Sequence, residues 1–429
     1  MTALVTKLSP VLRPDSSRTV IRPFILSDPA GFAQVGHPRT ERIAQRVLSL
    51  DKAGIKAELK TLREALDARH REPDRILFDI FAGVEGLKID RSVLSHDQAL
   101  LLGAYFSEEF SFESAALFNP SIVRHPVQTG VAAGDTRFIL SLRGIGEGHI
   151  STLTFRTGTW TAAGDVHVDP PSPHAVGPYI DRTQSDRGEL VVQLSFDRAE
   201  EISEAVIYPF LPSQGRGIED VRMVEFTDTD GAVDYRATYT AFNGSDVRQG
   251  LLRTTDFNNF EMRGVRGDLY AGKGMALFPR KYGGRYLMLS RQDNENLWLC
   301  SSEDFSSWSG GEKIVMPKYP WEFIQIGNCG SPIELDEGWL VLTHGVGLIR
   351  NYCVGACLLD KNAPAKLLGR LEKPLLEPEG ATRDGYVPNV VYSCGAILRG
   401  RTLLLPYGVA DNSTTFATVD VDALLAEMR

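Results

Sequence analysis

The segment Gly215-Arg216-Gly217-Ile218-Glu219-Asp220-Val221-Arg222 sets two adjacent carboxylates between arginines, behind a glycine-rich turn. Neighbouring side chains on a strand point to opposite faces, so one of the two acids shares a pocket with Arg222, and alternation selects Asp220. Such a carboxyl can give or take a proton; a surface salt-bridge cluster would carry the same residues. A second constellation, Leu142 to Ser151, spaces Arg143, Glu147 and His149 with glycines. It either brings polar side chains to a pocket or forms a plain hairpin. It is not a phosphate-binding P-loop, because Gly-Lys-Ser/Thr and a following helix are missing. His344 ends an apolar strand with Tyr352 eight residues on, a position that is usually structural. Lys273, Arg280 and Arg291 flank the runs Met275–Pro279 and Tyr286–Leu289, and could assemble an anion site. No Gly-x-Ser-x-Gly elbow occurs and no cysteine has a convincing histidine partner, which disfavours covalent catalysis through Ser or Cys.

The elements that position these groups belong to an acidic, globular chain. Among 429 residues, 46 basic and 55 acidic side chains leave a net charge of −9, which disfavours non-specific nucleic-acid binding while permitting a small basic pocket. The five cysteines, Cys300, Cys329, Cys353, Cys357 and Cys394, are odd in number and apolar in context, as reduced core thiols are. Cys353 and Cys357 have no second pair at zinc-site spacing, so no metal is expected. The apolar run Ala99–Ala104 stops at Ser107-Glu108-Glu109, well short of the roughly 18 to 20 residues of a membrane span. The amino terminus, Met1 to Leu8, lacks the apolar core of a secretory signal, which makes the cytoplasm the default.

The chain changes character near residue 110. Ile55, Leu59, Leu62 and Leu66 recur at helical spacing and predict one amphipathic helix from Thr40 to Arg71. Ser95-His96-Asp97-Gln98 has capping-box spacing and predicts a second helix start, with Ala99–Phe106 buried behind it. Arg18–Leu26 reads as a strand that pairs elsewhere in the protein. After residue 110, short β-branched or aromatic runs such as Phe138–Leu142, Leu190–Leu194, Trp339–Leu342 and Leu403–Leu405 alternate with turns such as Asn243-Gly244 and Glu337-Gly338, which predicts an all-β architecture. Leu252–Phe260 reappears as Leu299–Trp308, with an earlier echo at Ile150–Trp160. A β-unit recurring at about 50 residues suggests five or six propeller blades around a central pit.

Read together, the motifs resemble glycoside hydrolase family 130, the mannoside phosphorylases and related mannosidases built on five-bladed β-propellers. Phe118–Ser121, Gly217–Arg222, Ala276–Lys281, Gly330–Ile333, His344–Val346, Gly355–Asp360, Val387–Val391 and Tyr407–Asp411 come in the family's order. The resemblance implies an all-β, five-bladed propeller over residues 111–429 and a mainly helical extension over 1–110 that packs on the ring or mediates homo-oligomerisation. It implies that Asp220 is the proton donor of an inverting reaction, acting through a sugar hydroxyl; Val221 stands where the family usually has proline. It implies a phosphate-binding set of Arg248, Lys273, His344 and Tyr352, with inorganic phosphate as co-substrate and no cofactor. Asn119, Arg143, Arg222, Asp384 and Asp411 are the sugar-binding candidates.

The expected activity is therefore reversible phosphorolysis of a β-mannoside, mannobiose or oligomannan, to α-mannose 1-phosphate, with no nucleic-acid or membrane partner. A β-mannosidase using water, a mannosyltransferase and a non-catalytic carbohydrate-binding propeller are the alternatives. The linkage and the acceptor depend on rim loops that the motifs do not read.

Overall fold

The computed structural model describes residues 3–24, 26, 38–185, 188–380 and 383–428. Met1 and Thr2 of the amino-terminal reading, and Ile25 of the predicted strand Arg18–Leu26, lie outside them. That strand is Thr19–Pro23, paired antiparallel with Ser107–Ser111.

Where periodicity predicts one helix from Thr40 to Arg71, there are two, Arg39–Leu48 and Lys52–Leu66. Asp51 causes the break: its carboxylate accepts from the Gly54 amide at 2.7 Å and caps a new helix start. Ile55, Leu59 and Leu66 bury one face of the second helix. The capping box forms as its spacing predicts, Ser95 and Gln98 each accepting from the other's amide, and opens helix His96–Tyr105. A further helix, Pro73–Gly83, begins with proline in its first turn, where a missing N–H costs nothing. It lies against His96–Tyr105 so closely that a Cβ at Gly103 would sit 2.0 Å from the Leu77 carbonyl oxygen.

The rest is predominantly β. Strands Ala116–Arg124, Thr136–Ile145 and Ser151–Trp160 form one antiparallel meander, joined through the parallel pair Ser151–Gly217 to a second that starts with Gly217–Thr227, Val233–Phe242 and Val247–Thr254. A four-stranded sheet follows, Ala276–Leu277, Tyr286–Ser290, Leu297–Ser302 and Glu312–Val315. The next is built on Gln325–Asn328, Trp339–Val346 and Tyr352–Leu359, and the last on Val391–Tyr392, Thr402–Val409 and Ser413–Asp420. Val5–Leu12, from the other end of the chain, is the outer strand of this last sheet. Part of the segment 1–110 thus belongs to the β body.

The apolar runs are continuous because both faces of these sheets are covered. Along Trp339–Val346, Trp339 and Val341 join Phe278 and Leu289 of the preceding sheet, while Leu340 and Leu342 join Leu403 and Leu405 of the following one. Leu404, facing away from Leu403 and Leu405, packs with Phe138, Leu140 and Leu142 of the first meander. The first and second meanders share the Phe155, Phe257 and Met223 cluster, and the second packs on the four-stranded sheet through Phe226, Met288 and Trp308. These five clusters therefore lie between consecutive sheet regions, and the last links back to the first. The helical segment docks through buried charge: Arg18 Nη1 and Arg156 Nη2 both donate to Glu113 Oε1, at 3.0 and 2.6 Å.

Candidate active site

One cavity of about 110 Å³ is lined by Asn119, Arg143, Asp220, Arg222, Lys273, Arg291, His344, Arg350, Tyr352, Tyr392 and Asp411, which strands and connecting turns of all five of these sheet regions contribute. Asp220 sits on Gly217–Thr227 at an irregularity in the pairing with Val233–Phe242, with φ of 49°. Asn119 occupies a matching irregularity in Ala116–Arg124, with φ of 48°. Such left-handed backbone is uncommon for residues other than glycine and re-aims side chains that regular alternation would turn away.

At the centre, Asp220 Oδ1 accepts from Asn119 Nδ2 at 2.7 Å and from Arg143 Nη1 at 3.4 Å. Arg143 also donates through Nη2 to Glu219 Oε1 at 2.6 Å and through Nε to Ser151 Oγ at 2.9 Å. Alternation predicts opposite faces for Glu219 and Asp220. The kink at Asp220 instead lets both carboxylates reach one guanidinium, although Asp220 is the one that shares the cavity with Arg222. Arg222 is fixed by three neutral acceptors: Asn328 Oδ1 at 3.0 Å, the Asp220 carbonyl at 2.8 Å and the Tyr392 hydroxyl at 2.7 Å.

Burial pushes the Asp220 carboxyl up, but Arg143, Arg222, the Asn119 amide and Lys273 outweigh it and hold it below its ordinary value. Burial raises Glu219, with Arg143 opposing. Burial also pushes Asp411 up to about 6; Asp220 and Glu219 add to the rise, and Arg143 and Arg350 oppose it. His344 is held well below the usual imidazole range by burial and by Arg291 and Arg222.

Of the ten site residues the resemblance implies, the structure brings together Asn119, Arg143, Asp220, Arg222, Lys273, His344, Tyr352 and Asp411 and leaves two outside the lining; Glu147 and His149 of the second constellation also lie outside it. Arg248 lies on Val247–Thr254, separated from Gly217–Thr227 by the intervening strand Val233–Phe242, and is not among the residues that line the cavity. Its guanidinium stacks 4.4 Å over the Tyr270 ring, beside a different cavity. Asp384 is an exposed loop residue that is not among those lining the cavity. Of the three cations proposed for an anion site, Lys273 and Arg291 line the cavity, whereas Arg280 is paired with Glu334 through two 2.8 Å contacts. Arg350 and Tyr392 complete the lining without having been singled out. Arg350 ends the turn Leu348–Arg350, where Ile349 and Arg350 both have positive φ, and no spacing rule reads such a turn. The five cysteines are buried thiols, and among the described residues no cluster of His, Cys, Asp or Glu has metal-binding geometry. No helix among the described residues is long and apolar enough to cross a membrane.

This mostly β architecture is similar to the solved structure of a β-1,2-mannobiose phosphorylase from Listeria innocua in complex with β-1,2-mannobiose, with a TM-score of 0.50 and 24% identity over 74% of this chain and 92% of that one. The sequence model of glycoside hydrolase family 130, described as beta-1,4-mannooligosaccharide phosphorylase, matches residues 185–429. The chain belongs to glycoside hydrolase family 130. The curated β-1,2-mannobiose phosphorylase of Listeria innocua is 34% identical over 232 residues, a match that spans 52% of this chain and 63% of that protein's length. A 1,2-β-oligomannan phosphorylase of Thermoanaerobacter sp. is 35% identical over 211 residues, covering 48% of this chain and 69% of the relative.

Proposed function

We propose that this protein is an inverting β-mannoside phosphorylase: phosphate attacks the anomeric carbon of a terminal mannosyl residue, the glycosidic bond breaks with a proton from Asp220, and α-mannose 1-phosphate leaves with the shortened sugar. The observation that carries this reading is charge. Arg222, Lys273, Arg291 and Arg350 line the cavity that holds Asp220, and among the described residues none of the four has a carboxylate within ion-pair distance. A polyanionic nucleophile needs such cations and brings its own negative charge, whereas water needs a base. The related β-1,2-mannobiose and oligomannan phosphorylases support the same reading.

In this account Asp220 Oδ1 is held by Asn119 and Arg143, and Oδ2 is the oxygen that carries the transferable proton. Arg222 and Lys273, two of the cations that lower Asp220, belong to the phosphate set, so bound phosphate offsets their pull and raises the affinity of Asp220 for its proton. A relay through a sugar hydroxyl lets the carboxyl act beyond direct hydrogen-bond reach of the glycosidic oxygen. Asn119, Arg143 and Asp411 are the sugar-facing groups.

The same account takes residues 111–429 as a five-bladed propeller. Core clusters between consecutive sheets, closing from last to first, support that count, as does a cavity lined from all five sheet regions. The segment 1–110 is then an extension docked on the ring, apart from Val5–Leu12.

Asp411 favours a second reading. A cavity carboxylate with a pKa of about 6 is ionised at neutral pH and could serve water as a base. The two are separated by supplying mannose 1-phosphate with a panel of acceptor sugars: phosphorolysis run in reverse releases phosphate and extends the acceptor, and hydrolysis does neither.

A further inference from the structure

The cavity beside Arg248 is larger than the central one, about 480 Å³, and takes no part in the chemistry above. Two glycines make its room. Gly250 and Gly264 lie opposite each other in the pairing of Val247–Thr254 with Asn259–Gly264. A Cβ at Gly250 would meet the Tyr239 ring at 2.1 Å, and one at Gly264 would meet nothing within 4 Å. The Tyr239 ring therefore lies over Gly250, where Gln214 Nε2 donates to its hydroxyl at 3.2 Å, and the space over Gly264 stays open.

The polar groups around this space are few and planar. Gln249 is 4% exposed and lines the cavity, and its side-chain amide has no hydrogen-bond partner among the described residues. A buried amide in that state costs free energy until water or a ligand completes it. Tyr270, 45% exposed, also lines the cavity and carries the Arg248 guanidinium over its ring. The other charges are balanced: Arg263 Nε donates to Glu261 at 2.8 Å, and Arg266 Nη2 pairs with Glu189 at 2.6 Å. An aromatic face beside an amide and a guanidinium, with little net charge, suits a neutral polyhydroxyl ring better than an anion.

The cavity also neighbours the active site. Ile218, two residues before Asp220, pairs with Ala241, which pairs with Arg248. Two inter-strand spacings, about 10 Å, thus separate Arg248 from the strand that carries the acid. The loop that supplies Tyr270 to this cavity supplies Lys273 and Gly274 to the central one, and the Gly272 amide pins it to the Val247 carbonyl at 3.4 Å.

We propose that this cavity is a remote sugar-binding site, in which Tyr270, Arg248 and Gln249 hold the third or a later sugar of an oligomannan whose terminal mannosyl residue fills the central cavity. This rests on the phosphorylase reading. The site adds affinity for long substrates and none for a disaccharide, which ends before reaching it.

Steady-state phosphorolysis with inorganic phosphate tests it, comparing a β-mannobiose of a linkage that the unmodified protein cleaves with the pentasaccharide of the same linkage. Y270A removes the ring, and Q249M keeps the volume and loses the amide. Each raises KM for the pentasaccharide by about 2- to 12-fold, the loss of one aromatic contact or one neutral hydrogen bond, with kcat kept. KM for mannobiose and for phosphate stays within about 1.5-fold, because only binding of the distal sugars is lost. Equal losses for both sugars would mean that the Tyr270 loop acts through Lys273 on the central cavity, and no loss for either would put the cavity outside the substrate's path. Either result overturns the inference, while consumption of phosphate keeps the phosphorylase reading. A raised phosphate KM in R248M would assign Arg248 to phosphate and overturn it as well. If the unmodified protein consumes no phosphate, the phosphorylase reading falls, and the same comparison of KM values for mannose release decides the site.

Discussion

Asn119 and Asp220 are 101 residues apart in sequence, and the Asn119 amide donates to Asp220 Oδ1 at 2.7 Å, each residue on left-handed backbone at a break in its strand pairing. Two strained positions facing each other across the two joined meanders hold one carboxylate oxygen in place. Strain of this kind costs on the order of 1 to 3 kcal/mol per residue and persists where surrounding structure over-determines it.

Replacing Asp220 by Asn keeps that shape and an acceptor for Asn119 while removing the transferable proton. Turnover of D220N falls by at least about 100-fold, with KM for phosphate changed little. Steady-state rates measure it, and near-normal turnover would move the proton donor to another group, Glu219 first.

Lys273 tests the electrostatic half of the site. K273M raises KM for phosphate by about 10- to 150-fold and weakens the reverse reaction from mannose 1-phosphate, while an uncharged mannoside binds with little change. Equal losses for phosphate and mannoside would mean that Lys273 shapes the pocket and does not select the anion.

Asp411 gives a pH signature. Burial lifts its carboxyl from an ordinary 3.8 to about 6, so the folded chain holds that proton more tightly than the unfolded chain does. Its contribution to stability is therefore fully present below about pH 3.8 and is lost as pH rises through about 6. D411N removes this dependence. The melting temperature of D411N relative to the unmodified protein is higher at pH 7.5 than at pH 4.5, and a difference that is constant with pH contradicts the account.

The docking of the helical segment has its own test. Arg18 and Arg156 share Glu113 Oε1 in the interior, and E113Q leaves two buried guanidinium groups without their counter-charge. Unpairing a buried charge costs about 3 to 5 kcal/mol, so E113Q lowers the urea midpoint by the equivalent amount. An unchanged midpoint would show that the cluster has other compensation.

What could be read from the sequence was set by locality. Trp339–Leu342 and Leu403–Leu405 read as strands because branched and aromatic runs bounded by turns are local signals. Their burial on both faces is what makes the runs continuous. The capping box at Ser95 is likewise contained in four residues, and Asp51 offered a helix cap of the same kind inside a periodicity that ran straight through it. Asp220 was found, but by an alternation that the kink at that residue breaks. The resemblance implies Arg248 from the order of residues alone, and order cannot tell a strand that lines the cavity from one two places out in the sheet. Arg350 and Tyr392 enter the cavity only because separate sheets meet there.

The most direct measurement follows mannoside cleavage by the unmodified protein with and without inorganic phosphate and identifies the mannose-containing product. Phosphorolysis predicts negligible cleavage in phosphate-free buffer, saturable activation by phosphate, and α-mannose 1-phosphate as the product. Full-rate release of free mannose without phosphate, and no mannose 1-phosphate when phosphate is added, would contradict it.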